Sequence, residues 1–257
     1  MLIDSHCHLT YEPLAQRIDD VLARAAGAGV SHCITVGTSP ADARAALALA
    51  TRSDRVFASA GIHPHEAGKA PAGWESMLMG LAAETRVVAI GETGLDYHYD
   101  FSPRERQREV FVRQLAVAIE CGKPVIIHCR EAHADTVAVL DGHSNLRGVV
   151  FHCFTGSVAE AREILDHGWW ISLTGVVTFR NAGELGEVAR LLPRDRLMVE
   201  TDSPYLSPEP VRQVRPNEPA HVVHVARRIA ELRGETFEDL AAYTRANTIR
   251  FFGLPLD

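Results

Sequence analysis

The chain has 257 residues, of which 46% are hydrophobic and 23% are charged, and it carries a formal net charge of −7 at pH 7. These values are typical of a folded globular protein, and this length can bury one large core, so we expect a single domain, 1–257, without disordered segments. The acidic balance argues against a broad basic surface that grips duplex DNA, but it leaves other nucleic-acid substrates open.

The sequence also carries signals about the cellular compartment. No basic segment followed by an apolar run stands at the start, and no stretch approaches the ~18 apolar residues of a membrane span. The five cysteines form an odd set without a C-x-x-C pair, which favours reduced thiols over a disulfide framework or a zinc knuckle. We therefore expect a cytoplasmic protein with no membrane contact.

Eight short apolar runs bounded by turn residues predict eight strands, at residues 2–8, 32–37, 56–62, 87–92, 124–129, 148–153, 169–174 and 197–202. Helical patterns lie between most of them, at residues 14–28, 41–51, 104–121, 134–140, 158–167, 184–192 and 220–232, with a last helix at about 236–250. This alternation predicts a single (β/α)8 TIM barrel of the α/β class. The alternative is an open doubly wound sheet, which usually has a Gly-rich phosphate loop after its first strand; here that strand ends in His-Cys-His.

The end of the first predicted strand carries two histidines, His6 and His8. Because side chains alternate along a strand, the two share a face, and neighbouring imidazoles suit one divalent ion. Alone, the pair is a weak signal, since two hydrogen-bonded structural histidines fit the same pattern equally well.

Ionisable residues also stand where four later apolar runs stop; these are Glu92, His128, His152 and Asp202. Each one alone is better explained by a strand end that turns to solvent. A barrel, however, collects the carboxyl ends of its strands at one mouth, and charges buried there need partners that divalent ions supply. Together with His6 and His8 they are too many for one tetrahedral ion, so they indicate two ions, with Glu92 as the candidate bridging ligand.

Seven segments of the sequence resemble the TatD-related metal-dependent hydrolases and deoxyribonucleases, in the family's order: Asp4–His8, Gly61–His65, Gly91–Tyr97, Pro124–Arg130, His152–Gly156, Glu200–Leu206 and Arg215–Pro219. The resemblance covers most of the chain. It implies a barrel fold, divalent metals held by the same six residues, and hydrolysis of DNA phosphodiesters from a 3′ end. The sequence departs from the family at Val211–Pro216, where relatives are usually richer in Lys, Arg and Gly, which weakens the case for substrate contacts in that loop.

Three further residues are candidates for substrate contact. The resemblance places His63 and His65 near the scissile phosphate, and a pair of loop histidines without a role is the alternative. Arg130 follows the fifth predicted strand, and its planar guanidinium fits the geometry of a phosphate, although a surface salt bridge explains an arginine there equally well.

The predicted mechanism is hydrolysis by a water that two divalent ions activate near neutral pH, the ions being magnesium, manganese or zinc. Glu92 and Asp202 are the candidate catalytic residues, with Asp202 as the acceptor of the water's proton. The expected partner is DNA with single-stranded or frayed ends, as substrate, and no obligate protein partner is indicated. Aromatic candidates for stacking on bases, with packing as the alternative, are Tyr97, Tyr99, Phe154 and Tyr205.

Two other functions fit the same fold. An amidohydrolase or lactonase often recruits a bridging lysine from a barrel strand, but the two lysines of this chain, Lys69 and Lys123, end no predicted strand. A non-catalytic scaffold that metal stabilises is the third hypothesis.

Overall fold

Eight strands form one sheet, in the order in which they follow along the chain, and the described pairs are parallel. The computed structural model describes residues 1–99 and 101–256. The strands are β1 (Leu2–Cys7), β2 (Val30–Val36), β3 (Val56–Ala60), β4 (Val87–Asp96), β5 (Val125–Arg130), β6 (Val149–Phe151), β7 (Trp170–Leu173) and β8 (Leu197–Val199). Most of their residues are buried, as expected where a parallel sheet is covered on both faces.

Helices alternate with these strands: α1 (Ile18–Gly27), α2 (Pro40–Arg52), α3 (Trp74–Ala82), α4 (Arg104–Cys121), α5 (His133–Asp141), α6 (Val158–Asp166), α7 (Leu185–Leu191), α8 (Val222–Arg233) and α9 (Phe237–Phe252). Several begin at recognisable caps. Ser39 accepts a hydrogen bond from the Asp42 backbone at the start of α2, and Ser157 forms a capping box with Glu160 at the start of α6.

No helix in the described ranges combines the length and the apolar character that crossing a membrane requires.

The structure departs from the sequence prediction at several strand ends and at one helix. Strands β6 and β8 end at Phe151 and Val199, before the predicted residues 153 and 202, so His152 and Asp202 follow these strands. The prediction that the fourth strand ends at residue 92 is wrong, since β4 continues to Asp96. Gly91 and Gly94 break its apolar pattern, yet the backbone keeps its pairing with β5. Helix α3 was not predicted, because Gly73 at its start offers no capping side chain and its short sequence shows no strong periodicity.

The chain divides into two compact units, Met1–Thr35 with Cys153–Asp257 (unit 1) and Val36–His152 (unit 2). The single-domain organisation stays a prediction. In unit 1 the ends of β1 and β8 are tied together, because the Asp202 N–H donates to the His6 carbonyl (3.0 Å) and the His8 N–H donates to the Ser203 carbonyl (2.7 Å). The segment that follows β8 therefore runs beside the end of β1.

In unit 2, β4 and β5 pair closely at their carboxyl ends. Gly94 lies opposite His128, and Asp96 lies opposite Arg130. Gly94 has a φ of 138°, and a Cβ at this position would collide with the His128 carbonyl. Glycine therefore allows β5 to approach β4 here, which brings the backbone of His128 against the strand that carries two carboxylates.

Candidate metal centre

In unit 1, three predicted ligands converge at the ends of β1 and β8. The Nε2 atoms of His6 and His8 lie 3.4 Å apart. Asp202 Oδ1 lies 3.2 Å from Nε2 of His8 and 3.7 Å from Nε2 of His6. Both imidazoles are buried, so two nitrogens and one carboxylate oxygen face each other in a protected position.

A buried hydrogen-bond network supports this cluster from behind. The carboxylate of Asp4 accepts the backbone N–H of Thr201 (2.9 Å) and its hydroxyl (2.6 Å). Burial raises the pKa of Asp4 to about 8, although the hydrogen bonds from Thr201 oppose the shift. Asp202 itself has a φ of 54°, in the left-handed region, so its orientation depends on this support from the preceding residue.

Glu200 takes a different role from Asp202. One oxygen accepts the Cys153 N–H (2.7 Å) and the other accepts the Ser172 hydroxyl (2.5 Å). Through these two bonds, the buried Glu200 side chain links the backbone of Cys153 to strand β7.

In unit 2, one carboxylate gathers three histidines. Glu92 Oε1 lies 2.7 Å from Nε2 of His152, 2.8 Å from Nδ1 of His128 and 3.4 Å from Nε2 of His63. Burial alone would raise the pKa of Glu92, but the charges and hydrogen bonds of His152, His63 and His128 outweigh it and hold that pKa well below its usual range. Glu92 is therefore an anionic centre surrounded by imidazole nitrogens.

Asp96 is a site residue that the sequence reasoning missed. Its Oδ2 lies 2.9 Å from Nε2 of His128 and 3.0 Å from Nε2 of His65. Burial would raise the pKa of Asp96, but the hydrogen bonds with His128 and His65 lower it strongly. The available signal was its position four residues after Glu92, which in a longer strand places both carboxylates on one face.

His128 consequently has a carboxylate at each ring nitrogen, Glu92 at Nδ1 and Asp96 at Nε2. Burial would lower the pKa of His128, yet its hydrogen bonds with Asp96 and Glu92 raise it above the usual value. A carboxylate behind a histidine is the usual way in which proteins orient a metal-binding imidazole.

The two histidines predicted to contact substrate lie beside these carboxylates. Nδ1 of His63 accepts the His65 N–H (3.1 Å), and its Nε2 faces Glu92. Burial lowers the pKa of His63 to about 4, although Glu92 opposes the shift, so the imidazole is neutral at pH 7. The ligand atoms of His63, Glu92 and His128 lie within 4.8 Å of one another, close enough to hold an ion.

Arg130 lies at the exposed end of β5, with its guanidinium 4.8 Å from the centre of the Tyr99 ring. Its contact with substrate phosphate stays a prediction. The stacking leaves the edge of the guanidinium, which carries the N–H donors, available to a planar or tetrahedral oxyanion.

The model of the family described as TatD related DNase matches residues 3–253. The chain belongs to this family. The resemblance found in the sequence motifs is thereby confirmed, and it extends over almost the whole length of the protein.

Relatives of this TatD-family protein carry two kinds of name. The metal-dependent hydrolase YcfH of Escherichia coli K12 is 46% identical over 255 residues, which cover 98% of this chain and 95% of YcfH. The 3′-5′ ssDNA/RNA exonuclease TatD of the same strain is 40% identical over 258 residues, covering 98% of this chain and 99% of TatD. The protein is thus a metal-dependent hydrolase of the TatD family.

Among solved structures, YjjV, a TatD homologue from E. coli K12, matches with a TM-score of 0.94 at 32% identity, covering 99% of this chain and 98% of YjjV. This likeness confirms the predicted (β/α)8 barrel of the metal-dependent hydrolases. An amidohydrolase from Saccharomyces cerevisiae, at 20% identity and a TM-score of 0.81, shares the fold alone.

The donor atoms of this TatD-family protein fit divalent metals. Unit 1 offers two imidazole nitrogens and a carboxylate, and unit 2 offers a buried carboxylate with three imidazoles around it. Mixed imidazole and carboxylate sets suit zinc and manganese, and carboxylates also bind magnesium. Cys7, by contrast, directs its Sγ to the Ile34 carbonyl (3.4 Å), as a packed thiol does.

Proposed function

We propose that this protein is a nuclease that removes nucleotides from the 3′ end of single-stranded DNA by metal-assisted hydrolysis. The observation that carries the proposal is the Glu92 cluster, one buried anion surrounded by three histidines in a chain whose family is the TatD related DNases. A relative at 40% identity over its full length, E. coli TatD, bears the name of a 3′-5′ ssDNA/RNA exonuclease, which supports the substrate and the polarity.

The proposed ligands are the six residues at the strand ends. Unit 1 supplies His6, His8 and Asp202, and unit 2 supplies Glu92, His128 and His152. Two divalent ions, magnesium, manganese or zinc, account for this number of donors, with Glu92 as the ligand that bridges the ions. Bound ions would lower the pKa of water and neutralise charge that develops on the phosphate oxygens.

The chain's own groups then have defined tasks. Asp202 Oδ1 accepts the proton of the attacking water, since this carboxylate is the more accessible one, with 15% of its side chain exposed against 3% for Glu92. Asp96 keeps the His128 ring in place through Nε2. His63 is neutral at pH 7, so it places no positive charge beside bound cations, and Arg130 binds a phosphate oxygen.

The charge of the protein favours a strand end over a long duplex. With a net charge of −7, the chain lacks the excess of cations that neutralises many phosphates at once. A single strand that enters a metal site by its end needs few phosphate contacts, because the metals and a small number of side chains hold the terminal nucleotide.

The lysines argue against the amidohydrolase and lactonase alternative. Lys69 pairs with Glu66 on a 3-10 helix (3.0 Å), and Lys123 donates to the carbonyl of Val87 (2.7 Å), the first residue of β4. Neither amine lies among the histidines of unit 2, so neither is placed to bridge metals. The side chains of this chain therefore favour phosphodiester hydrolysis.

A side-by-side assay tests the proposal. The protein is stripped with a chelator, reloaded with magnesium, manganese or zinc, and offered end-labelled single-stranded DNA, a p-nitrophenyl phosphodiester and a panel of lactones. We expect metal-dependent shortening of the DNA from its 3′ end and slower cleavage of the small phosphodiester. Efficient lactone hydrolysis with intact DNA would replace the proposal by the alternative, and full activity of the stripped protein would refute the metal-assisted mechanism.

A further inference from the structure

Two aromatic side chains of unit 2 stand out because they are exposed and parallel. Tyr99 is 41% exposed and Phe101 is 66% exposed. Their ring centres lie 5.2 Å apart, with an angle of 6° between the ring planes. Exposure of such apolar rings to water is energetically unfavourable. In nucleic-acid-binding proteins, exposed aromatic rings serve as surfaces on which bases stack.

Two of the other aromatic candidates, Tyr97 and Phe154, are already occupied or covered. The Tyr97 hydroxyl donates to Asp135 (2.7 Å), and the guanidinium of Arg104 lies 4.3 Å above the Tyr97 ring. Phe154, in unit 1, is only 6% exposed. Tyr205, in unit 1, is 52% exposed. Among the described aromatic residues of unit 2, Tyr99 and Phe101 are the exposed pair, and Phe101 presents the more open ring because the Arg130 guanidinium lies over Tyr99.

Hydrogen bonds hold Tyr99 and also Ser102, the residue that follows Phe101. The N–H of Tyr99 donates to Asp96 Oδ1 (2.9 Å). Ser102 donates from Oγ to the His65 carbonyl (2.9 Å), and its own carbonyl accepts from Gln107 (2.9 Å). A surface held in this way loses little conformational entropy when a ligand binds.

The aromatic pair also adjoins the Glu92 cluster. The His65 ring lies nearly perpendicular to both rings, with its centre 5.6 Å from Tyr99 and 4.8 Å from Phe101. His65 is joined through Asp96 to His128, a proposed ligand. A nucleobase on the pair is thus one nucleotide's reach from the proposed reacting phosphate, since successive bases lie several ångströms apart.

Arg130 completes the chemistry of a nucleotide subsite. Its guanidinium lies over the Tyr99 ring at 4.8 Å and the residue is exposed, so a phosphate beside the stacked base is within the chemistry of its N–H donors. Aromatic faces for the base and a planar cation for the phosphate are what a single-stranded nucleic acid needs and a lactone does not.

We propose that Tyr99 and Phe101 form a base-stacking platform that holds a nucleotide of the single-stranded substrate next to the reacting phosphodiester, with Arg130 on its phosphate. The inference rests on the proposed nuclease function and adds a subsite to it. Because stacking is tolerant of base identity, the platform gives affinity for single strands without sequence preference.

Three variants at one position test the platform: Phe101→Ala, Phe101→Leu and Phe101→Tyr. Leucine keeps an apolar side chain but lacks an aromatic face, whereas tyrosine keeps the face. On single-stranded oligonucleotides we expect KM to rise by about tenfold or more for Ala and Leu and to stay within about twofold for Tyr, with kcat nearly constant. Metal content and size-exclusion elution are expected to match the wild type in all three.

An oligonucleotide with abasic residues near its 3′ end supplies the decisive control. Wild type and Phe101→Ala are expected to share the same raised KM on it, because no base is left to stack. Equal KM values of wild type, Ala and Leu variants on intact DNA would overturn the platform, as would a changed elution volume that indicated self-association through the pair.

Binding measured by fluorescence anisotropy separates this inference from the function on which it rests. If the wild type binds labelled oligothymidine more tightly than Phe101→Ala does but cleaves no DNA, the platform stands and the nuclease function is refuted. Cleavage that is indifferent to Phe101 retains the nuclease and refutes the platform. Neither binding nor cleavage by wild type refutes both.

Discussion

The ligand cluster of unit 1 and that of unit 2 solve the same problem differently. In unit 1, Asp202 is the carboxylate that both His6 and His8 face, and its orientation depends on a left-handed backbone backed by Asp4. In unit 2, Glu92 and Asp96 project from one rigid strand, and their oxygens are shared among the surrounding histidines.

The two clusters differ in how firmly their side chains are held. Unit 2 holds its imidazoles in fixed positions through carboxylates before any metal binds, whereas unit 1 presents its carboxylate on the segment after β8, partly exposed. A pre-ordered cluster suits metal retention, and an accessible carboxylate suits proton transfer. The comparison predicts different consequences of mutation in the two units.

The largest effect is expected for Glu92→Ala, because it removes the anion at the centre of three histidines. Metal content and activity should fall together, with kcat/KM down by roughly 10³-fold or more. Elemental analysis of the purified protein and steady-state kinetics measure both. Glu120→Ala, on the exposed face of α4, is the matched control. Normal metal content in Glu92→Ala would contradict the role of Glu92 as a metal ligand.

Asp202→Asn is expected to separate metal content from turnover. The amide keeps an oxygen near His8 but cannot accept a proton, so kcat should fall by about 10²–10⁴-fold while most of the metal remains. Asp195→Asn, a surface carboxylate paired with Arg196, is the control. Full turnover with normal metal content would remove the role of Asp202 as base.

Asp96→Asn tests the order within unit 2. The amide retains the size of the side chain but loses the charge that holds His128 and His65, so metal affinity or activity should drop by roughly 10–100-fold. Metal titration and kcat at saturating metal distinguish the two. The control is Asp54→Asn, since that exposed carboxylate pairs with Arg86 on the surface. Unchanged titration curves would show that Asp96 does not position His128.

The smallest effect on activity is expected at Glu235. This carboxylate belongs to a hydrogen-bond network of unit 1 that contains none of the proposed ligands. Glu235 binds Arg233 and Arg194 and accepts the Tyr243 hydroxyl, and although burial would raise its pKa, Tyr243 and Arg233 hold that pKa below the usual value. Glu235→Gln should cost about 1–3 kcal/mol of unfolding free energy at neutral pH without changing metal content.

The pH dependence of this variant has a definite sign. A depressed carboxyl pKa contributes stability above the unfolded pKa, which is lost as the pH falls through the folded pKa. The stability gap between wild type and Glu235→Gln should therefore be present at pH 7 and narrow below about pH 4.5, the ordinary pKa of a glutamate side chain. Denaturant titrations at several pH values measure it, and a gap that widens in acid would contradict the assignment.

Much of the fold and of the candidate site was predictable from local sequence. Strand periodicity and strand count indicated the barrel, and the family motifs pointed to the residues of both clusters. The sequence did not identify Asp96 as a site residue, because the glycines on either side of Glu92 indicated that the strand ends there. The sequence did not identify Phe101 either, since a single aromatic residue in a loop belongs to no recognisable sequence pattern. Its exposure is a property of the folded surface.

The amino-acid sequence by itself determined which donor types stand at the carboxyl ends of strands, because alternation and apolar runs are local properties of the chain. Only the tertiary structure decided which donors contact each other. The His128 ring lies between Glu92 and Asp96 because Gly94 allows close approach of β4 and β5, and Asp202 faces His8 because backbone bonds tie the end of β8 to β1. Such contacts join residues more than thirty positions apart, and no local pattern encodes their distances.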